Sequence, residues 1–302
     1  MPVDDRLDPD LIQANLQTKL VGRKVLVYDQ TASTNDVVAE YARNPENAGL
    51  VVFAEEQTAG RGRTGARWLG KHGDSLLFSF ALVDCAISRE LLPLACAVAV
   101  AEAIGQVGPS QARIKWPNDI ILDGKKVAGI LVESKRVARV SGHDLWPVTC
   151  GPNDKPHVMA DQTRATRHGS RDTTVIVIGI GINCHQTANG FPPDLRETAT
   201  SLDLTSGTRC HRVTVARRVL ASLDHWLGVA QCDQAGVIER WRHLSTQLGR
   251  RLTLSYDGKR FTGHCIGVDP EKGLILQLDH GGVRMFHAAH TSVVKPTERG
   301  DR

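Results

Sequence analysis

Apolar residues recur along this chain in two rhythms, one of short β-branched runs and one of longer stretches with a three-to-four-residue spacing. Val25–Tyr28 and Leu50–Ala54 are short apolar runs and predict two strands. Between them, Ser33-Thr34-Asn35-Asp36 supplies cap-type residues ahead of a helical stretch, Val37–Arg43. Ser75–Val83 predicts a third strand, and Leu91–Val107 a largely buried helix rich in Ala and Val. Arg113–Trp116 and Asp119–Leu122 read as short strands. After the tight turn Asp123-Gly124-Lys125, Lys126–Glu133 returns as the second arm of a hairpin. Thr174–Ile180 suits a central strand, Val213–Val229 an amphipathic helix, and Val237–Leu248 a shorter one. The polar lead, residues 1–24, holds at most one short helix over Asp10–Leu20.

The pattern changes twice. Between Arg136 and Asp172 Gly, Pro, His, Asn, Asp, Arg and Ser predominate, which predicts an extended surface loop between two core strands. After Gly249 short strands recur at regular spacing, Arg251–Tyr256, Lys259–Val268, Gly273–Leu278 and Val283–Ala288, separated by Gly- and Asp-rich turns. That rhythm predicts a small antiparallel barrel. Three segments follow: a lead over 1–24, a main domain over 25–248 containing the 136–172 loop, and a C-terminal module over 249–296.

Composition narrows the class without choosing a function. Hydrophobic residues make up 41% and charged residues 23% of the 302, an ordinary globular balance. The net charge of +4 suits a local anionic ligand and is too small to argue for nucleic acid. No apolar run is long enough to span a bilayer, and the acidic start is unlike a secretory signal, so a cytoplasmic protein without a membrane partner is expected. The seven cysteines are scattered without a CxxC pair, which predicts reduced thiols rather than a disulfide frame or a zinc site.

Four segments carry candidate chemistry. Gly60-Arg61-Gly62-Arg63-Thr64-Gly65 combines backbone that a ligand can approach closely with two guanidiniums, a pattern for phosphate or carboxylate oxygens. It is neither a P-loop nor a dinucleotide fingerprint, and by itself it reads equally as a solvated turn. In Lys115-Trp116-Pro117-Asn118-Asp119 the proline fixes the chain, and Asn118 and Asp119 offer oxygens to a ligand or to Mg²⁺, or simply cap a turn. Lys126 opens an apolar strand beside the small Ala128 and Gly129, so its ammonium can project into a cleft. Gly179-Ile180-Gly181-Ile182-Asn183 ends a strand where glycines permit close approach and Asn183 offers an amide.

In series, Ser33-Thr34-Asn35, Gln57 with Gly60–Gly65, Lys115–Asp119, Lys126–Glu133 and Gly179–Asn183 resemble the biotin protein ligase family, from about Val25 to Val294. The resemblance implies an α+β fold: a mixed β-sheet with packed helices, of the class II aminoacyl-tRNA synthetase and biotin ligase type, followed by an SH3-like β-barrel. It implies an ATP-dependent ligase that makes biotinyl-5′-AMP and then transfers biotin to a lysine of a biotin carboxyl carrier protein, of acetyl-CoA carboxylase or a related carboxylase. Ser33, Thr34, Asn35 and Gln57 match residues that hold biotin, with Gly60, Arg61, Gly62, Arg63, Lys126 and Gly129 completing its site. Arg61, Arg63, Trp68, Lys115, Asn118, Asp119, Lys126 and Asn183 match the ATP and adenylate side, Asp119 being the candidate ligand for the Mg²⁺ of MgATP. Arg63 and Lys126 are the expected catalytic cations, stabilising charge as one anion attacks another.

Departures from the family pattern refine these expectations. The lead over 1–24 does not supply the winged helix-turn-helix of repressor-type members, so the monofunctional type without direct DNA binding is expected, as a monomer or homodimer. Thr64 and Ala66 stand where some members carry arginines. Two alternatives stay open at this point: a lipoate or octanoate ligase on the same fold, and a non-catalytic biotin-binding module.

Overall fold

The computed structural model describes residues 5–83, 85–138 and 172–294. A short helix, α1 (Pro9–Gln13), leads into β1 (Lys24–Thr31), helix α2 (Thr34–Tyr41) and β2 (Leu50–Gln57). The strands β1 and β2 are parallel, as a strand–helix–strand crossover requires. Next come β3 (Ser75–Val83), helix α3 (Leu92–Gly105), β4 (Arg113–Lys115), β5 (Asp119–Leu122), β6 (Lys125–Ala138) and β7 (Asp172–Asn183). The seven strands form one mixed sheet in the order β1-β2-β3-β7-β6-β5-β4. Helices α4 (Leu202–Ser206), α5 (Arg212–Cys232) and α6 (Gln234–Leu244) follow.

β2 is apolar at successive positions because the sheet is covered on both faces. Val51 and Phe53 join the large core that contains α3 and α5, whereas Leu50 and Val52 pack with Val38, Ala39 and Ala42 of α2. α3 is apolar all round because it is buried all round, with every position from Leu94 to Ala103 in the core except Glu102.

The structure shifts several expected boundaries. α1 stops at Gln13 instead of running to Leu20, because Asn15 turns left-handed (φ 59°). Beyond it the Asp224 carboxylate of α5 accepts the amides of Lys19, Leu20 and Val21, giving that backbone a partner outside any helix. α2 starts at Thr34, three residues early, with Ser33 as its extended N-cap. β6 and β7 pair as far as Ala138 and Asp172, so both ends of the expected 136–172 loop are strand. Residues 139–171 of that loop lie outside the described residues. α6 ends at Leu244, and the turn that follows places Gln247 against Trp116, accepting from its amide at 2.8 Å and donating to its carbonyl at 3.2 Å.

The C-terminal strands are β8 (Arg251–Tyr256), β9 (Lys259–Asp269), β10 (Gly273–Leu278), β11 (Val283–Phe286) and β12 (Thr291–Val293). They form a five-stranded antiparallel sheet in the order β11-β10-β9-β8-β12 where the sequence predicts a small barrel; β12 has no counterpart among the expected strands. Leu254, Cys265, Leu274, Leu276 and Phe286 bury their side chains in the same core as Trp241 and Leu244, so the two sheets share apolar packing. Among the described residues no helix is long and apolar enough to cross a membrane.

Candidate active site

On β7, alternate residues face opposite ways. Ile178, Ile180 and Ile182 enter the α3 core, while Val175 and Val177 pack with the α2 cluster. Continuing along the α2 face, the next positions are Gly179 and Gly181, so apolar filling stops where α2 begins. Across the sheet, Ser79, Gly179 and Leu131 form one row, and Leu77, Gly181 and Gly129 the next. This trough is the floor of a cavity of about 230 Å³, small for a ligand site.

The glycines are required by what rests on them. A Cβ on Gly179 would lie 2.2 Å from Asn35 Oδ1, and one on Gly181 2.5 Å from the Trp68 indole. Ser33, Thr34 and Asn35, at the N-terminus of α2, and Gln57, at the end of β2, form one polar wall. Gln57 Oε1 accepts the Thr34 amide at 2.8 Å. Thr34 Oγ1 lies 2.6 Å from Ser79 Oγ, Ser79 donates to Asn35 Oδ1 at 2.5 Å, and Asn35 Nδ2 donates to Glu133 at 2.6 Å.

The Gly/Arg loop crosses the cavity as a small hairpin. Trp68 donates to the Gly60 carbonyl at 3.0 Å, and Gly62 to that of Ala66 at 2.7 Å. Its tip residue Thr64 holds a left-handed conformation (φ 52°), strained for a β-branched residue. Arg61 makes two bonds to Asp36, at 2.7 and 2.9 Å, and reaches Glu133 at 3.3 Å. Its guanidinium thereby fastens the loop to α2, and the bond from Arg61, reinforced by Lys135, holds the Asp36 carboxyl down at about 2. Arg63 points the other way, donating to Asn118 Oδ1 at 3.4 Å and to the Ala288 carbonyl of the C-terminal module at 2.5 Å. Burial lowers the Arg63 pKa, opposed by the charge of Asp119.

Lys126 reaches the cavity through a β-bulge. The register pairs Ile120 with Ala128 but Ile121 with Lys126, leaving Val127 as the extra residue, buried in the core. The bulge reverses the alternation and puts Lys126 on the same face as Gly129. A Cβ on Gly129 would stand 3.2 Å from Lys126 Nζ. The ammonium pairs with Asp119 at 2.5 Å, and the segment after β7 brackets the backbone, Lys126 N donating to Thr198 O and Thr200 N to Lys126 O. Asn118 is fixed by bonds in both directions with Ile130.

Arg61 is held by Asp36 and Glu133, so the lining sets Arg63, Arg67 and Lys126 against the carboxylate of Asp119, an excess of cations that favours an anion. Gly62, Trp68 and Gly129 line it as expected; the Trp68 Nε1 is buried without a hydrogen-bond partner. Three expected residues stand elsewhere. The Gly60 carbonyl closes the hairpin, Lys115 lies in β4 at the sheet edge, and Asn183 donates to the Thr200 carbonyl at 3.0 Å. Sequence reasoning gave Ser79 and Glu133 no role. The available signal for Ser79 was a hydroxyl inside an apolar strand, fully buried in the structure.

A second group of charges lies outside the cavity. Arg212, only 3% exposed, donates to Asp5 at 2.8 Å, to Glu55 at 2.6 Å and to the carbonyls of Ser75 and Asp5. His185 bridges Asp5 and Asp203 at 2.6 and 2.8 Å. His185, Asp203 and Cys210 bring ligating atoms within 4.8 Å of one another, but both imidazole nitrogens already face carboxylates.

The chain is similar to known proteins over most of its length. Residues 27–144, which include most of the cavity lining, match the Biotin/lipoate A/B protein ligase family. The "Bifunctional ligase/repressor BirA" of Bacillus subtilis is 28% identical over 286 residues, covering 94% of this chain and 78% of the relative. The "Biotin--[acetyl-CoA-carboxylase] ligase" of Mycobacterium tuberculosis is 29% identical over 295 residues, covering 92% and 90%. Among solved structures, the biotin protein ligase from Aquifex aeolicus in complex with biotin and ATP has a TM-score of 0.69 at 23% identity, covering 90% of this chain and 99% of that one, which establishes a shared fold. Residues 27–144, which carry the polar wall, the Gly/Arg loop and Lys126, are thus similar to the Biotin/lipoate A/B protein ligase family.

Proposed function

We propose that this protein is a biotin protein ligase, which joins biotin to ATP as biotinyl-5′-AMP with release of pyrophosphate. The biotinyl group then passes to a lysine of a biotin carboxyl carrier protein, with release of AMP. One observation carries this reading: a single cavity joins a neutral hydrogen-bonding wall, Thr34, Asn35 and Gln57, to the cations Arg63 and Lys126. A bicyclic urea uses the first and a carboxylate with a phosphate uses the second, whereas a fatty chain has no use for the polar wall.

In the first step a biotin carboxylate oxygen attacks the α-phosphorus of ATP. Both reactants are anionic, and fixed cations stabilise the crowded transition state. Lys126 exchanges its bond to Asp119 for the incoming oxygens. Mg²⁺ accompanies ATP in this reading, and Asp119 with the Asn118 oxygen offers the one-carboxylate donor set that Mg²⁺ uses beside substrate phosphates. Trp68 gives the nucleotide a flat apolar face. The nucleophile of the second step is the carrier's amine, so the enzyme needs none of its own.

We treat residues 25–248 as the catalytic domain and the strands after 248 as an SH3-like module. The described cysteines are all free, which suits a reducing cytoplasm. Biotin-dependent ATP–pyrophosphate exchange is the direct test, with exchange expected for biotin and not for lipoate or octanoate. Exchange with either fatty acid and none with biotin overturns the assignment.

A further inference from the structure

The polar wall of the cavity is wired in one direction. Glu133 presents only acceptors to Asn35, so the Asn35 amide turns its NH₂ towards Glu133 and its oxygen towards Ser79. Ser79 has one hydroxyl hydrogen, and the 2.5 Å bond to Asn35 Oδ1 uses it. The 2.6 Å contact between the Thr34 and Ser79 hydroxyls then has one possible donor, Thr34. Thr34 Oγ1 also lies 3.1 Å from Gln57 Oε1, but one hydrogen cannot serve both, and Ser79 is the nearer acceptor. Gln57 Oε1 is already satisfied by the Thr34 amide, which leaves its NH₂ group to turn elsewhere.

We propose that Ser79 and Glu133 are positioning residues that hold the Thr34 hydroxyl as an obligate acceptor towards the cavity, so that the site selects a ligand N–H. Beside it the Gln57 amide offers a donor. An adjacent acceptor and donor are the complement of an N–H and C=O on one edge of a urea or lactam ring. The proposal rests on the biotin reading and deepens it by naming what sets the polarity. Neither residue has to touch the ligand. Ser79 is fully buried, and Glu133 also ties Arg61 to the same wall, so loop and relay share one anchor.

The test compares exchange kinetics for biotin and for biotin methylated on a ureido nitrogen, in the wild type, Ser79→Ala and Glu133→Gln. In the wild type the methylated analogue has the higher KM. In Ser79→Ala the Thr34 hydrogen loses its nearer acceptor and is divided between Gln57 Oε1, at 3.1 Å, and an acceptor on the ligand. In Glu133→Gln the Asn35 amide can flip. Both variants should raise KM for biotin about tenfold, more than they lower kcat, and shrink the ratio between the two ligands. A variant that was merely loosened would weaken both ligands alike and leave the ratio unchanged, and that outcome in both variants overturns the proposal. A second measurement needs no ligand. Proton NMR should show slowly exchanging hydroxyl protons of Ser79 and Thr34 in the wild type, with the Thr34 signal lost in Ser79→Ala. Absence of both signals in the wild type overturns the relay even if exchange is normal. Failure of exchange with biotin while both signals are present overturns the substrate reading and leaves the relay standing.

Discussion

Two clusters of charge built on the same sheet behave oppositely. Around Arg212, the side chains of Arg212, Asp5, Glu55 and His185 are 1–6% exposed, and their ionised groups satisfy one another. Around the cavity, Lys126, Asp119, Arg61 and Asp36 are 25–50% exposed and hold simpler pairings. The first cluster has little capacity left for a ligand. In the second, the part-exposed pair of Lys126 and Asp119 is weak, so an incoming anion would displace the carboxylate at small cost. Charge in a protein marks a site when its pairing is incomplete or replaceable.

The largest effect that separates the two clusters is Arg212→Met. It leaves Glu55 buried without its cation and Asp5 with His185 but no arginine, and should lower the unfolding free energy by about 3–5 kcal/mol, read from urea denaturation. Exchange activity per folded molecule should stay near that of the wild type. A loss of activity without loss of stability would place Arg212 in the site instead. The converse substitutions, Arg63→Ala and Lys126→Ala, should each reduce biotin-dependent exchange on the order of a hundredfold. Their melting temperatures should stay close to the wild type, and near-normal rates in both would show that the charge stabilisation lies elsewhere.

The smallest effect is on pH. Burial pulls the His185 pKa down, but the bonds to Asp5, Cys210 and Asp203 outweigh it and raise it to about 10 from 6.5. A raised pKa means that the cluster's contribution is complete below pH 6.5 and lost as pH rises through about 10. For Asp5, burial is outweighed by the bonds from His185 and Arg212, which lower it to about 2 from 3.8; its contribution is present above pH 3.8 and lost as pH falls through about 2. Thermal melts between pH 6.5 and 10.5 should show a decline that His185→Gln flattens. An unchanged slope in that variant would remove His185 from the account.

Much of the main sheet was legible because its strands are apolar, β-branched and bounded by turn residues. The cavity was legible in part, through its glycines and arginines and the cap residues before α2. What escaped has no local signature. The bulge at Val127, which turns Lys126 to the ligand face, is an irregularity of pairing with β5. The backbone at Lys19–Val21, where the sequence predicts a longer α1, finds its partner in Asp224, some two hundred residues further along the chain. The cluster of Asp5, Glu55, His185, Asp203 and Arg212 is assembled from five separate segments, and Ser79 gains a role only because Asn35 is laid beside it by α2. Asn183 carries the right chemistry for a ligand, but its backbone neighbourhood gives it a nearer partner in Thr200.

The bond from Arg63 to Ala288 bears on how such a molecule tolerates change. Its acceptor is a main-chain oxygen, which every amino acid supplies. This bond therefore places no demand on the side chain at 288, whereas inserting or removing one residue in the Ala288–His290 turn moves the oxygen away from the guanidinium. A record of substitutions would make this turn look dispensable, and a record of length changes would show it as fixed. Grafting a C-terminal module from a relative succeeds on the same condition: the turn must arrive with its length intact, whatever side chains it carries.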